Sequence, residues 1–366
     1  MPALDRLTLT GFKSIKTFDL ELRPINVLIG QNGAGKSNFI SFFRMMSALT
    51  EQRLQEYVAK SGGANALLHY GQKTTDGIRA DMSFGEGGYL IELSPTEEDE
   101  FIFTEDEFIF TKEEVRFEGD KGLYNVVGHK ESLANRDLQG PERFHRLQNF
   151  ILSSIRGWKV YHFHDTSSSA PVKKTGDIHD NEFLRPNAEN LAAFLYLLQE
   201  KHPEHYALIR ATVQRTFPRF GDFLLRPNPL NEDTIRLEWK EKGSDYRFGP
   251  HQISDGTLRF MGLATLLLQP NLPSTVLIDE PELGLHPAAL SVLGGLVRNA
   301  ATRTQVILTT QSVTFLNEFE PEDIVTVDRE NGESVFRRHS TAELAAWLED
   351  YSLAEIWEKN IIGGRP

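Results

Sequence analysis

The octapeptide Gly30-Gln31-Asn32-Gly33-Ala34-Gly35-Lys36-Ser37 constrains this chain more than any other segment. It satisfies the phosphate-loop pattern GxxxxGK[ST] in full. Its flanks fit the same reading. The apolar run Ile25-Asn26-Val27-Leu28-Ile29 predicts a buried strand, and Asn38 to Met46 predicts a helix. Glycines let the backbone curl around phosphate oxygens and turn successive N–H groups inward. The following helix offers its positive N-terminal end to the same anion. Residues Gly30 to Asn38 are therefore the candidate phosphate cradle. Lys36 is placed to reach the β- and γ-phosphates, and the Ser37 hydroxyl to hold Mg²⁺.

The chain has 366 residues, enough for one large domain or two ordinary ones. Hydrophobic residues at 40% and charged residues at 25% predict a soluble globular protein. No run of 18 apolar residues is present, so no membrane span is expected. Met1-Pro2-Ala3-Leu4-Asp5-Arg6 lacks the form of a signal peptide, and there is no cysteine. That excludes disulfides and thiolate metal sites and fits a cytoplasmic location. The net charge of −13 excludes a globally basic nucleic-acid binder, though not a local basic groove.

Along the chain, residues 4–10 and 18–22 alternate as strands, and 38–60 predicts a helix. From Gly77 to Phe117 the pattern turns to short strands. Asp-Glu-Phe-Ile-Phe-Thr occurs twice there, at 99–104 and 106–111, and predicts two hairpin strands; the acids of 97–107 read as a solvated rim or, alternatively, as a partner-binding acidic patch. Residues 141–156 and 187–217 predict helices, Trp158 to Phe163 a strand, 165–180 a loop, and 222–248 a hairpin. A helix after Ser254, a strand at 276–278, a helix from Pro287 and a strand at 305–309 follow. Alternating strands and helices around a phosphate loop imply an α/β fold with a mostly parallel sheet flanked by helices.

Val276-Leu277-Ile278 runs directly into Asp279-Glu280. An acid at the carboxyl end of a strand beside a phosphate loop is placed to coordinate Mg²⁺, which assigns Asp279. The adjoining Glu280 is placed to polarise the water that attacks the γ-phosphate.

Five segments carry a resemblance. Asp279-Glu280-Pro281-Glu282-Leu283-Gly284-Leu285-His286-Pro287 resembles the Walker B and D-loop of ABC-type ATPases of the RecF/SMC/OLD kind. Ile253-Ser254-Asp255-Gly256-Thr257-Leu258-Arg259 resembles their signature motif. Leu7 to Ser14 resembles their opening strand, Thr309-Thr310-Gln311-Ser312 their switch segment, and the stretch from Trp347 to Pro366 the ending of compact predicted ATPases of this group. The resemblance implies a P-loop NTPase of ABC type: a parallel core, an antiparallel β lobe and a helical lobe. It implies ATP and Mg²⁺ as cofactors. It also implies a head-to-tail homodimer in which Ser254 and Gly256 of one copy close over ATP held by the other. Lys13 is implied as a further nucleotide contact, with a solvated strand-end lysine as the alternative.

The resulting division is a single head, 1–366. Residues 1–74 and 250–330 form the nucleotide-binding core. Residues 75–165 form the inserted antiparallel lobe with a return strand, 166–249 the helical lobe, and 331–366 a C-terminal extension. Two departures from the family pattern stand out. The switch position carries Gln311 where His is frequent, and an amide hydrogen-bonds but takes up no proton near neutral pH. No clear glutamine loop is present; His162, His164 and Asp165 lie in the segment nearest that role, as polar neighbours of the nucleotide or as a weak metal cluster. Arg259 reads either as a charge stabiliser or as a helix-surface ion pair, and His286 either as an interface residue or as a helix cap.

Arg210, Arg215, Arg219 and Arg226 interleave with Phe217, Phe220 and Phe223, a composition suited to strand binding and equally to a helix core. No heptad arm fits between 38 and 253, and too little follows Gln311 for a nuclease domain. DNA and a separate effector protein such as a nuclease are thus the candidate partners. The function expected is an ATP-driven switch in DNA repair, recombination or antiviral defence. The alternatives are an ATP-gated regulator of a separate effector that binds no DNA and, more weakly, a transporter ATPase subunit.

Overall fold

The computed structural model describes residues 3–85, 87–96, 108–117, 129–132 and 142–364. The acidic rim at 97–107 and the first repeat hexapeptide lie outside these residues. Two sheets enclose one buried helix. The larger sheet has the order β15-β14-β3-β13-β12-β7. Its strands are β3 (Ile25–Ile29), β7 (Trp158–Tyr161), β12 (Thr275–Asp279), β13 (Gln305–Thr310), β14 (Ile324–Glu330) and β15 (Glu333–Arg338). All neighbours pair in parallel except the edge pair β14–β15. β13 is buried along its whole length, as a central strand covered on both faces must be.

The second sheet is antiparallel, in the order β2-β1-β4-β5-β6. It comprises β1 (Arg6–Phe12), β2 (Ile15–Glu21), β4 (Ile78–Phe84), β5 (Gly87–Pro95) and β6 (Phe108–Phe117). Strand β4 alternates buried and exposed, the pattern of a sheet with one wet face. Between the sheets runs α1 (Lys36–Thr50), whose Phe39, Ile40, Phe42, Phe43, Met45, Met46 and Leu49 are all buried. A helix apolar nearly all round has to be covered all round, and the two sheets do this. Leu28, Leu277 and Ile307 point from the parallel sheet into this core, whereas Val27, Ile29, Val276, Ile278, Val306 and Leu308 point into the opposite one. The two-residue period of the strands divides the molecule into its two cores.

The opposite core is covered by α5 (Leu191–Lys201), α6 (Pro203–Thr216), α7 (Asp255–Leu268) and α8 (Pro287–Ala301), with α9 (Val313–Leu316) and α11 (Leu353–Glu358) at its margin. The 15-residue α4 (Glu142–Arg156) and short pieces fill the remainder: α2 (Leu54–Lys60), α3 (Ala64–Leu67), α10 (Thr341–Leu348), β8 (Gly176–Asp177), β9 (Phe220–Phe223), β10 (Thr234–Ile235) and β11 (Trp239–Glu241).

Several expectations need correction. The single helix expected over 187–217 is two, because Pro203 has no N–H to donate and disfavours a helical residue before it. Pro203 instead starts α6 at the position where a missing donor costs nothing. The helix over 38–60 breaks at Gln52, whose φ is +57°. The antiparallel lobe is no separate insertion beginning at residue 75, since β1 and β2 from the N-terminus form two of its five strands. β15 completes the parallel sheet, and buried Trp357 donates from Nε1 to the Gly364 carbonyl.

Candidate active site

The phosphate loop leaves the carboxyl end of β3 and enters the first turn of α1. Two of its glycines are sterically required. A Cβ on Gly30 would collide with the Val327 carbonyl, and one on Gly35, at φ +123°, with the Ser334 hydroxyl. Lys36 folds back over the loop, its Nζ donating to the carbonyls of Gly30 (2.5 Å) and Gln31 (3.1 Å). Burial lowers the Lys36 pKa, and the charges of Glu280, Asp279 and Glu282 oppose that shift. The lysine and these three acids thus share one electrostatic neighbourhood. Ser37 is exposed beside it.

The acids come from the end of β12. Thr309 Oγ1 on β13 donates to Asp279 Oδ1 (2.6 Å), and His164 Nε2 donates to the Asp279 carbonyl (2.9 Å). Glu280 has a φ of +43°, and its amide donates to the carbonyl and hydroxyl oxygens of Thr309, each at 3.1 Å. Such left-handed backbone in a non-glycine residue is costly and concentrates at functional sites. Gln311 joins the halves of the site: its Nε2 donates to Asn32 Oδ1 of the phosphate loop (2.9 Å) and to Glu280 Oε1. Its own amide donates to Glu282 Oε1 (2.8 Å). Burial raises the Glu282 pKa, and its Oε2 has no hydrogen-bond partner.

The signature residues are organised locally. Ser254 caps α7, its Oγ accepting from the Thr257 amide (3.2 Å), and it is exposed. Gly256 packs so closely on Gly284 that a Cβ there would collide with the Gly284 carbonyl. The contacts of Ser254 do not include the phosphate loop of its own chain. Arg259 forms no ion pair among the described residues. It donates to the carbonyls of Phe163 (3.1 Å), His164 (2.9 Å) and Leu283 (2.8 Å), tying α7 to the segment after β7 and to the D-loop. His286 is a cap, Nδ1 accepting from the Ala288 amide (3.2 Å). Lys13, at φ +50°, is partly buried, which lowers its pKa.

One buried network has no counterpart in the sequence reading. Asn38 Nδ2 donates to Ser14 Oγ (2.6 Å), Ser14 Oγ is bonded to Ser334 Oγ (2.6 Å), and Ser334 Oγ donates to the Ala34 carbonyl (2.5 Å). A hydroxyl has one proton, so Ser14 is the donor to Ser334. Arg329 adds a bond from Nη1 to the Gly33 carbonyl (3.1 Å). The hairpin β14–β15 therefore braces the outer side of the phosphate loop. No local motif announces a contact between residues 14 and 334.

The phenylalanines of the arginine–phenylalanine segment are used internally and two of its arginines are paired, while Arg215 and Arg219 are exposed. Phe220 and Phe223 are buried, Phe217 packs on Trp239, Arg210 pairs with Asp222 (3.0 Å) and Arg226 with Glu238 (3.8 Å). Among the described residues no three His, Cys, Asp or Glu side chains are grouped to hold a metal by themselves. No described helix is long and apolar enough to cross a membrane.

A profile of the family described as "AAA domain, putative AbiEii toxin, Type IV TA system" matches residues 25–317. The chain belongs to that family. The match spans the phosphate loop, the Asp279-Glu280 strand and Gln311 alike. The chain is similar to the SMC head bound to the C-winged helix domain of ScpA, at 15% identity and a TM-score of 0.57, over 94% of this chain and 100% of the other. It is also similar to an SMC head with an extended coiled coil bound to the C-terminal domain of ScpA from Pyrococcus furiosus, at 14% identity and 0.59, over 96% and 99%. Among curated proteins it is 25% identical over 221 residues to the DNA replication and repair protein RecF of Renibacterium salmoninarum, covering 55% of this chain and 53% of the relative. It is 37% identical over 82 residues to RecF of Acidothermus cellulolyticus, covering 22% of each. The chain thus spans about half or less of the length of these relatives. It is a RecF/SMC-like, ABC-type member of an ATPase family.

Proposed function

We propose that this protein hydrolyses ATP and uses ATP-dependent, head-to-tail homodimerisation as a switch in a DNA-linked process. One observation carries the catalytic part: the Gln311 amide spans Asn32 of the phosphate loop and the carboxylate of Glu280. That contact puts the base candidate, the switch residue and the phosphate cradle within one hydrogen-bonded group. Gly30 to Asn38 would hold the phosphates, Glu280 would accept the proton of the attacking water, and Gln311 would orient it.

The residues present fit Mg²⁺. Asp279 and the Ser37 hydroxyl offer hard oxygen donors beside a phosphate cradle, without an all-protein cage, which is the arrangement Mg²⁺ takes with a nucleotide. Three carboxylates around one lysine would otherwise repel a triphosphate. When bound, Mg²⁺ supplies neutralisation of phosphate charge. Thr309 holds the Asp279 carboxylate in place through its 2.6 Å hydrogen bond.

The exposed Ser254 at the start of α7 supports the dimer reading. Ser254 and Asp255 are exposed at this helix start, whose positive end suits an anion. The RecF relatives support the DNA link. A second reading is a regulator of a separate effector that binds no DNA. The family description and the pairing of Arg210 with Asp222 and of Arg226 with Glu238 favour it. ATPase rates measured with and without single- and double-stranded oligonucleotides separate the two. The DNA-linked reading expects stimulation, and a rate indifferent to both forms of DNA transfers the argument to the second reading.

A further inference from the structure

Four carbonyls of the phosphate loop are each held by a side-chain donor. Lys36 holds those of Gly30 and Gln31 from within the loop. Arg329 on β14 and Ser334 on β15 hold those of Gly33 and Ala34 from outside it. The Ser334 bond is the more constrained of these two. Ser334 is 2% exposed, and its hydroxyl approaches so closely because residue 35 has no Cβ to meet it. Ser14 holds Ser334 twice. The Ser14 carbonyl accepts from the Ser334 amide (2.8 Å), and Ser14 Oγ donates to Ser334 Oγ (2.6 Å). Ser14 Oγ in turn accepts from Asn38 Nδ2 (2.6 Å). Each hydroxyl has one proton, so the Ser334 proton is committed to the Ala34 carbonyl. The turn of the hairpin is anchored as well: Tyr70 Oη donates to the Gly332 carbonyl (3.0 Å), and Lys16 Nζ pairs with Glu333 (2.8 Å). Ser334 is thus placed by its own neighbours and does not depend on the loop for its position.

The direction of the Ala34 carbonyl decides where the next amide points. The C=O and N–H of one trans peptide unit point opposite ways. With the Ala34 carbonyl fixed outward on Ser334, the Gly35 N–H is turned to the inner side of the loop. Among the described residues that N–H has no acceptor. The amides of Lys36 and Ser37 follow it at the start of α1, where helix N–H groups have no partner within the helix. Successive N–H groups of this kind form a concave nest for an anion. Gly35, at φ +123°, is the residue whose backbone is freest to turn that peptide away.

We propose that Ser334 is a positioning residue for phosphate binding: by holding the Ala34 carbonyl it presets the Gly35 N–H toward the phosphate chain of the bound nucleotide, with Ser14 holding Ser334 in turn. This rests on the reading of Gly30 to Asn38 as an ATP cradle. The gain is preorganisation, since a peptide already turned inward need not be ordered when the ligand arrives. The octapeptide supplies the glycines, and a hydroxyl 300 residues further along the chain sets one of their peptides.

Calorimetric titration of Ser334→Ala with two probes, ATP and inorganic tripolyphosphate, tests this beside steady-state kinetics and the unfolding midpoint of the unliganded protein. Both probes are expected to bind about 2- to 10-fold more weakly, by the same factor, which is the range of one lost hydrogen bond. KM for ATP is expected to rise by that factor while kcat is kept, the pattern of binding lost equally from ground and transition states. Wild-type affinity for both probes overturns the proposal, and with a lowered midpoint it makes Ser334 a brace of the fold alone. A loss confined to ATP also overturns it, because the residue would then act on the nucleoside. Ser14→Ala leaves the bond from Ser334 to Ala34 in place and removes what holds Ser334, so it carries the test should Ser334→Ala not fold. Weaker binding of both probes by a smaller factor supports the proposal there, and wild-type affinity overturns it. A wild-type chain that binds neither probe overturns the ATP cradle itself, and the role of Ser334 with it.

Discussion

Glu280→Gln is expected to lower the ATPase rate by about 10²–10⁴-fold while ATP still binds. The amide that replaces the carboxylate keeps the size of the side chain and its contact with Gln311, so the hydrogen-bonded group from Asn32 to residue 280 persists. What disappears is the ability to take a proton from water. Single-turnover hydrolysis with labelled ATP measures the loss, and filter binding measures the retained nucleotide. Hydrolysis at the wild-type rate would remove Glu280 from the role of base and leave Gln311 and its neighbours to be re-read.

The second large effect is on Lys36. Lys36→Ala is expected to reduce kcat/KM by roughly 10²–10³, the scale of removing one preorganised charge partner from the transition state. The structure gives two reasons. The ammonium lies among Glu280, Asp279 and Glu282, and without it these acids face an incoming triphosphate with no fixed countercharge. The same ammonium ties the carbonyls of Gly30 and Gln31, so the loop loses an internal brace as well. Calorimetry with ATP shows the loss. An unchanged affinity and rate would mean that the loop does not cradle the triphosphate.

The parts of the site legible in the sequence are those in which chemistry and neighbours lie in one short segment. Gly30 to Ser37 and Asp279-Glu280 are such segments, and the apolar strands beside them are what a parallel sheet requires. Gln311 was legible as a position, but its bridge between Asn32 and Glu280 depends on β3 and β13 pairing side by side. The network from Asn38 through Ser14 and Ser334 to Ala34 was illegible, because serines carry no distinguishing pattern and the partners meet only when β15 closes the sheet edge. The same holds for Arg259, whose partners are backbone carbonyls of two other segments. The break of the 187–217 helix was written in Pro203 and is a matter of local chemistry. The joining of β1 and β2 to the later strands was not, since alternation fixes which face a strand buries and leaves its neighbour open.

The central claim is that Lys36 of one copy and Ser254 of another belong to a single site. Light scattering on Glu280→Gln with ATP and Mg²⁺ tests it most directly, alone and with Ser254→Arg added. The account predicts twice the 41.5 kDa chain mass for Glu280→Gln, and the single chain mass with ATP still bound once Ser254→Arg is present. A Glu280→Gln chain that stays at 41.5 kDa with ATP bound would contradict it, as would a dimer that Ser254→Arg leaves intact.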